Sequence, residues 1–441
     1  MQEKHEGKTD GRPSCRRLRI GFSTGTAMTA AARAALRAIL TGTKPSCIAV
    51  RLPVGYYLAV PTTVTCLNMT EAQAVVIKDA GDDPDVTDKT PVVVRLELLK
   101  PYRTNGKLPT AEKQDFKPGH GLAYIVLSTG GGVGVVTKPG LPVAVGEPAI
   151  NPTPRAMLVE NLSEELNRSS DLERFSTPEV FPAGSVIDAD KSSEGTVRLP
   201  LPVVPQPLCA LTIHVRVSMP QGEHLAPRTL NPRLGILGGL SILGTTGLVK
   251  PLSHEAYEET ILSAFHVAKA AGSSTVVLST GGKSEKLARG LLQHEPTEAF
   301  VQIADFFAFA VDRAAHMGFS TIVHSVFFGK AVKMASGKPS THAHKSGMDL
   351  NTLVRCGERV GASRSLLDQM IHANTARHAL EMLRDAQAHD VVLEVAREAL
   401  RHSRRFAGTS VPRLRLLLFD YDGSLLADVE DQEAATPPKG S

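Results

Sequence analysis

Thr275-Val-Val-Leu-Ser-Thr-Gly-Gly282 decides how the second half of the chain is read. A short strand-forming run ends in hydroxyls and two glycines, and a helix-period segment, Ser284 to Leu292, follows. The next apolar run, Ala299–Ala304, ends at Asp305. Helix-period residues Phe306–Met317 lead to a third run, Thr321–Val326, and then to Gly329-Lys330. Strands alternating with helices predict βαβ units and a parallel sheet. In open sheets of that kind, ligands collect at the carboxyl ends of the strands. Ser279, Gly281, Gly282 and Asp305 fall there and are candidate cofactor contacts, although the glycine fingerprint is incomplete. A helix about His254–Ala271 precedes these units. Further helices fill about 364–403, and a last strand, Leu414–Phe419, ends the pattern.

Upstream of 254 the pattern changes. Thr24 or Thr26 can cap a helix from about Ala27 to Leu40, with Gly42 as its stop signal. Val94, Leu96 and Leu98 alternate with Arg95 and Glu97, and Leu211–Ser218 alternates likewise, so these strands have one wet face. The expectation is an α+β N-terminal domain over 18–253, followed by a smaller α/β C-terminal domain over 254–427, Rossmann-like with a mostly parallel sheet. Residues 1–17 read as a disordered leader and 428–441 as a disordered tail. Polar stretches near 101–120 and 163–194 read as surface insertions.

Composition bounds the function. In 441 residues, 42% hydrophobic and 21% charged content excludes a wholly disordered chain. Net charge is only +4 and Trp is absent, which argues against a general nucleic-acid binder. The five cysteines are widely spaced, with no C-x-x-C, so neither a disulfide framework nor a zinc site is expected. No apolar window is long enough to cross a membrane. A cytoplasmic protein is expected, with a homo-oligomer left open.

Several segments carry chemistry. Gly21-Phe-Ser-Thr-Gly-Thr26 opens a helix, whose free N–H groups suit a carboxylate or phosphate; an ordinary cap is the plainer reading. In Lys78-Asp-Ala-Gly-Asp-Asp-Pro-Asp-Val-Thr87, the carboxylates Asp79, Asp82, Asp83 and Asp85 crowd a loop, as a base or a Mg²⁺ site would need; turns and caps would also account for them. Gly130, Gly132 and Gly134 match G-x-G-x-G, but Lys138-Pro-Gly140 follows where a helix should start. Gly146–Arg155 is fixed by three prolines, and Arg155 could meet a substrate carboxylate. Leu230–Gly247 interleaves glycines with aliphatic residues and the hydroxyls of Ser241, Thr245 and Thr246, an edge suited to a large flat ligand. His324, His342, His344 and Asp349 lack metal-ligand spacing, and no metal is expected. Phe419-Asp-Tyr-Asp-Gly-Ser-Leu425 imitates a phosphatase opening, but too little chain follows it, so it reads as a strand and turn.

Taken in order, Gly21–Thr26, Lys78–Thr87, Gly130–Gly140, Gly146–Arg155, Asn231–Gly247 and Gly329–Gly337 with Thr341-His342 resemble the CbiD family. Its members are cobalt-precorrin-5B C-1-methyltransferases of corrin-ring biosynthesis, and the resemblance spans about 18–425. It implies S-adenosyl-L-methionine as methyl donor and a polycarboxylate tetrapyrrole, cobalt-precorrin-5B, as acceptor. It also implies an α+β domain followed by an α/β domain. The family often has Cys after Thr-Gly-Thr; here Ala27 stands there, which excludes a nucleophilic thiol at that position. For such an acceptor, Lys78, Lys138, Arg155, Arg233, Lys330 and Lys333 are candidate carboxylate partners beside Thr24, Thr26, Ser241, Thr245 and Thr246. The aspartates are candidates to orient pyrrole N–H groups or take a proton. Two other readings stay open: a phosphotransferase using Gly130–Gly134 and the aspartates with Mg²⁺, and a non-catalytic tetrapyrrole-binding protein.

Overall fold

Alternation along Pro91–Leu99 sends Val92, Val94, Leu96 and Leu98 to one side, all essentially buried, while Arg95 on the other side is exposed. That strand lies inside a six-stranded sheet. The structure, a computed structural model, describes residues 18–99, 123–168, 195–201, 212–341, 349–408 and 412–431. The expected leader, the 101–120 insertion, most of the 163–194 insertion, His342, His344 and the end of the tail lie outside the described residues.

The chain forms a mixed α/β structure of two compact units. The first comprises Met1–Val135, Gly146–Asn231 and Ile236–Ser253; the second comprises Val136–Val145, Pro232–Gly235 and His254–Ser441. Two short excursions, Val136–Val145 and Pro232–Gly235, therefore pack with the second unit.

In the first unit the sheet uses β1 (Thr63–Cys66), β2 (Glu71–Ile77), β3 (Pro91–Leu99), β4 (Ala123–Thr129), β5 (Thr196–Leu201) and β6 (Thr212–Ser218). Their order is β5-β4-β6-β3-β2-β1, and only β4 with β6 is parallel. Its buried face receives helix α1 (Thr24–Thr41), whose alanines let the backbone approach closely. Gly42, left-handed at φ 74°, ends that helix. A second helix, α2 (Pro152–Arg168), packs on α1 through Leu158, Leu162 and Leu166. It was not expected, and it takes in Ser163–Arg168, which the sequence reading assigned to an insertion. Buried Arg33 and half-buried Arg37 of α1 both reach Glu165 of α2, at 2.9 and 2.6 Å.

The second unit holds β7 (Thr275–Ser279), β8 (Phe300–Gln302), β9 (Thr321–Phe327), β10 (Arg413–Phe419) and β11 (Leu425–Glu430) in the order β8-β7-β9-β10-β11. The first three pairings are parallel, and β10 with β11 is an antiparallel hairpin. Val276 and Leu278 face one helical layer, containing α3 (His254–Ala270), α5 (Phe307–His316) and α6 (Phe328–Ala335). Val277 faces the other, with Ala288 of α4 (Gly282–Leu291). β7 runs out to β8 on one side, and the chain then returns past it to β9. The strand order thus reverses between β7 and β9. Among the described residues no helix is long and apolar enough to cross a membrane.

Candidate active site

In the first unit, four motifs interlock at the start of α1. Ser23, rather than Thr24 or Thr26, is the cap: its Oγ accepts from the Thr26 amide at 3.2 Å. The threonine hydroxyls serve the glycine-rich loop instead. Thr24 Oγ1 accepts from the Leu243 amide at 3.0 Å, and Thr26 Oγ1 donates to the Gly247 carbonyl at 2.7 Å. The amides of Ser23 and Gly25 donate to the carbonyls of Gly247 and Leu243. The chain's own carbonyls thus take donors that the sequence offered to an anion.

The Asp loop closes on the same place. A Cβ on Gly21 would lie 2.3 Å from the Asp79 carbonyl oxygen, so only glycine lets these strands touch. The Asp79 carboxylate accepts from both guanidinium nitrogens of Arg19 and from Lys89, and Arg19 holds it well below the usual carboxylate range. Asp82 Oδ2 accepts the Arg19 amide at 2.7 Å, and Asp83 Oδ1 accepts the Leu252 amide at 2.9 Å. Asp85 accepts from Lys78 Nζ at 2.6 Å and from the Thr87 amide and hydroxyl. Burial works to raise Asp85, but those donors outweigh it and hold it low. Asp79 and Asp85 are therefore poor bases, and Asp82 is the exposed member of the four. Arg19 and Lys89, which neutralise Asp79, were not foreseen.

Other expected contacts prove to be internal staples. Arg155 donates to Glu147 at 2.6 Å and to the carbonyls of Ile150 and Pro148, which clamps its own proline loop. Gly132 pairs with Gly239 in a short parallel bridge, where a Cβ on Gly239 would meet the Gly132 carbonyl at 2.2 Å. The Gly130–Gly134 loop is a tight backbone crossing. Ser241 Oγ bonds Asn231 Oδ1 at 3.2 Å, Thr246 Oγ1 bonds the Leu248 backbone, and Thr245 is exposed on the loop. In the second unit, Lys138 pairs with Glu298 at 2.5 Å and Arg233 with Glu285 at 2.6 Å, anchoring the two excursions. Each of these cations is paired with a carboxylate of its own unit.

The second unit's expected residues do gather at the carboxyl edge of its sheet. Ser279 is fully buried, and its Oγ has no hydrogen-bond partner among the described residues. A Cβ on Gly281 would meet nothing within 4 Å, so the turn into α4 is open. Asp305 accepts from Lys330, which follows β9, and from Thr341 Oγ1 at 2.9 Å. The N-cap position of α5 is Phe306, whose side chain makes no cap bond. Lys333 also reaches the Thr341 carbonyl, at 3.2 Å. Burial lowers the Lys333 ammonium, and the neighbouring Lys330 charge adds to the effect.

The sequence reading missed what stands beside this edge. The ring of Phe327 stacks on Tyr421 at 6.2 Å, Lys283 lies 5.3 Å from Phe327, and Arg377 lies 4.6 Å over Tyr421. A cleft of about 320 Å³ opens there, lined by Arg377, Leu380, Glu381, Arg384, Asp420 and Tyr421 with Asp422. Asp422 accepts from the Ser424 amide and hydroxyl, so the phosphatase-like stretch is a hairpin turn. Buried His324 is bonded to Ser403 at 2.7 Å and pushed down to about 3 by burial, and Asp349 caps the helix Leu350–Arg359. Among the described residues no group of His, Cys, Asp or Glu could hold a metal ion.

The sequence profile described as CbiD matches residues 12–184 and 202–251, and that of the CbiD C-terminal domain matches 340–430. The chain is 39% identical to a protein of Nitratidesulfovibrio vulgaris named cobalt-precorrin-5B C(1)-methyltransferase, over 93% of this chain and 92% of the relative. Relatives with the same name from Salinispora arenicola and Dechloromonas aromatica are 36% and 35% identical, over 92% and 94% of this chain and 91% and 92% of theirs. A crystal structure of a cobalamin biosynthesis protein (cbiD) from Archaeoglobus fulgidus matches at 21% identity and a TM-score of 0.32, covering 84% of this chain and 85% of that one.

Proposed function

The chain belongs to the CbiD family, and from that premise we propose that it methylates C-1 of cobalt-precorrin-5B with S-adenosyl-L-methionine, giving cobalt-precorrin-6A. The observation that carries this reading is near-full-length identity to relatives named for that reaction. In the Gly130–Gly134 crossing the amides of Gly130, Val133 and Gly134 are already bonded to the carbonyls of Val217, Gly130 and Leu240, which speaks against the phosphotransferase alternative, because a phosphate cradle needs free amides.

The donor site proposed is the carboxyl edge of the second unit's Rossmann-like sheet. Its fit rests on the orphaned Ser279 hydroxyl and the open Gly281-Gly282 turn at the α4 N-terminus. The Asp305 carboxylate can accept two ribose hydroxyl protons. When bound, the donor supplies an electrophilic methyl on a sulfonium, which leaves as a neutral thioether. An electron-rich ring carbon needs no covalent enzyme nucleophile, in keeping with Ala27 at the position where relatives often carry Cys. The residues' work is alignment, and positioning alone can contribute roughly 7–11 kcal/mol. For the acceptor's carboxylates we assign Lys330 and Lys333 of the second unit. In the first unit Asp82 and Thr245 stay exposed, and Lys78 and Arg155 brace their own loops.

A photo-reactive S-adenosylmethionine analogue, followed by tryptic mapping, tests the donor site. Labelling of the peptides containing Gly281 or Asp305 supports it. Labelling confined to Gly130–Gly134 overturns it. A non-catalytic carrier would leave S-adenosylmethionine unconsumed when the tetrapyrrole is added.

A further inference from the structure

Asp305 and Lys330 stand two strands apart. The order β8-β7-β9 puts Asp305 after one flank of β7 and Lys330 after the other. The pair therefore joins the segment that follows β9 to the segment that follows β8, the two strands on either side of β7.

Three further observations mark this bridge as a place under tension. Ala304, immediately before Asp305, has φ 45°, a left-handed conformation unfavourable for a residue with a Cβ. Such strain concentrates at ligand clamps and switches. Thr341 is bound to both faces of Asp305: its amide donates to the Asp305 carbonyl at 3.1 Å and its hydroxyl to the carboxylate. Two ammonium groups, Lys330 and Lys333, converge on the single carbonyl of Thr341, at 3.1 and 3.2 Å. Both Lys330 and Asp305 keep part of their side chains in solvent, so each can change partner without unfolding the edge.

We infer that the Asp305–Lys330 pair is exchangeable and couples the two ligands: a donor diol taking Asp305 releases the Lys330 ammonium to meet a carboxylate of the acceptor. This rests on the donor-site reading above. At Asp305 two neutral hydroxyl donors replace the ammonium, and at Lys330 an acceptor carboxylate replaces the Asp305 carboxylate; between the two steps the part-exposed ammonium is solvated by water. Donor binding then raises the affinity for a polycarboxylate, and by linkage the polycarboxylate raises donor affinity by the same factor. In the absence of donor, Lys330 also stays committed, which keeps loose polyanions off the edge.

The test is competitive acetylation of the full chain with acetic anhydride, mapped by mass spectrometry, with and without S-adenosylhomocysteine. Binding of that non-reactive ligand is verified by calorimetry in the same samples. Release of Lys330 from Asp305 is expected to raise its labelling severalfold when the ligand binds. Asp305→Asn should label fast at Lys330 with or without ligand, with unchanged circular dichroism. Unchanged or reduced Lys330 labelling on verified binding overturns the exchange while leaving the donor site standing. Absence of any binding to the wild type overturns both. A second readout uses uroporphyrin, an octacarboxylate tetrapyrrole: S-adenosylhomocysteine should tighten its binding about tenfold in the wild type and not in Lys330→Met, within the usual range of such couplings. Equal coupling in both proteins would contradict the assignment to Lys330.

Discussion

Asp85→Asn is the sharpest structural perturbation that the first unit offers. Lys78 is 1% exposed, and Asp85 is the carboxylate 2.6 Å from its ammonium. The amide would still accept from Thr87, so the loop geometry survives while the countercharge is lost. Breaking a buried pair from one side costs roughly 3–5 kcal/mol, and the partial exposure of Asp85 favours the low end. At roughly 2–4 °C per kcal/mol for a unit of this size, the melting temperature should fall by about 6–12 °C. The chain has no Trp, so circular dichroism is the natural readout for urea and thermal unfolding. Asp85 is held below its ordinary value, so its stabilisation is full above an unfolded pKa of about 3.9 and fades as pH falls through the folded value. The wild type should therefore lose more stability than the variant on acidification below about pH 4. Lys78→Met in the Asp85→Asn background removes the orphaned charge and should recover part of the loss. A variant within 1 kcal/mol of the wild type, or a double mutant worse than the sum of the singles, would refute the buried-pair reasoning.

Further outcomes follow from the same geometry. Asp82→Asn should lower methyl transfer with an unchanged melting curve, and EDTA should not affect the rate; loss on chelation restored by Mg²⁺ would point to a metal on the Asp loop. Asp305→Asn should keep its melting temperature and bind S-adenosylmethionine about tenfold more weakly by calorimetry, as expected for a charged acceptor replaced by a neutral one. Gly239→Ala puts a Cβ 2.2 Å from the Gly132 backbone and should destabilise the first unit by more than about 2 kcal/mol; a neutral result would show that the crossing can relax. His324 is held neutral by burial at about 3, so its contribution is full above an unfolded pKa of about 6.5 and declines as pH falls toward 3. His324→Gln should flatten that part of the second unit's pH–stability profile.

The parts of this fold that were legible in the sequence are those where period and punctuation agree. Thr275–Ser279, Thr321–Phe327 and Arg413–Phe419 are continuous apolar runs followed by glycine or a turn, and all three lie in the mostly parallel sheet. Helix α2 was passed over because the three prolines of Gly146–Arg155 read as a loop, although Leu158, Leu162 and Leu166 repeat every fourth residue. Pro152 and Pro154 sit in its first turn, where no amide partner is lost. The site was less legible than the fold. A cation beside a glycine motif looks the same in sequence whether it waits for a ligand or staples a loop. Arg155, Lys138 and Arg233 proved to be staples because their partners, Glu147, Glu298 and Glu285, are brought near only by tertiary packing. The position of Ser279, Gly281, Gly282 and Asp305 was legible because strand ends mark one edge of a parallel sheet whatever the packing. The Phe327–Tyr421 stack was invisible for the opposite reason, since its members come from a strand end and a hairpin turn far apart in the chain.

The account stands most directly on where the methyl group goes. Methyl-¹³C S-adenosylmethionine, cobalt-precorrin-5B and the purified chain should give a product whose single new ¹³C resonance belongs to a methyl on C-1, with one S-adenosylhomocysteine formed per ring. Enrichment at another ring carbon, or S-adenosylmethionine left intact beside bound tetrapyrrole, would contradict it.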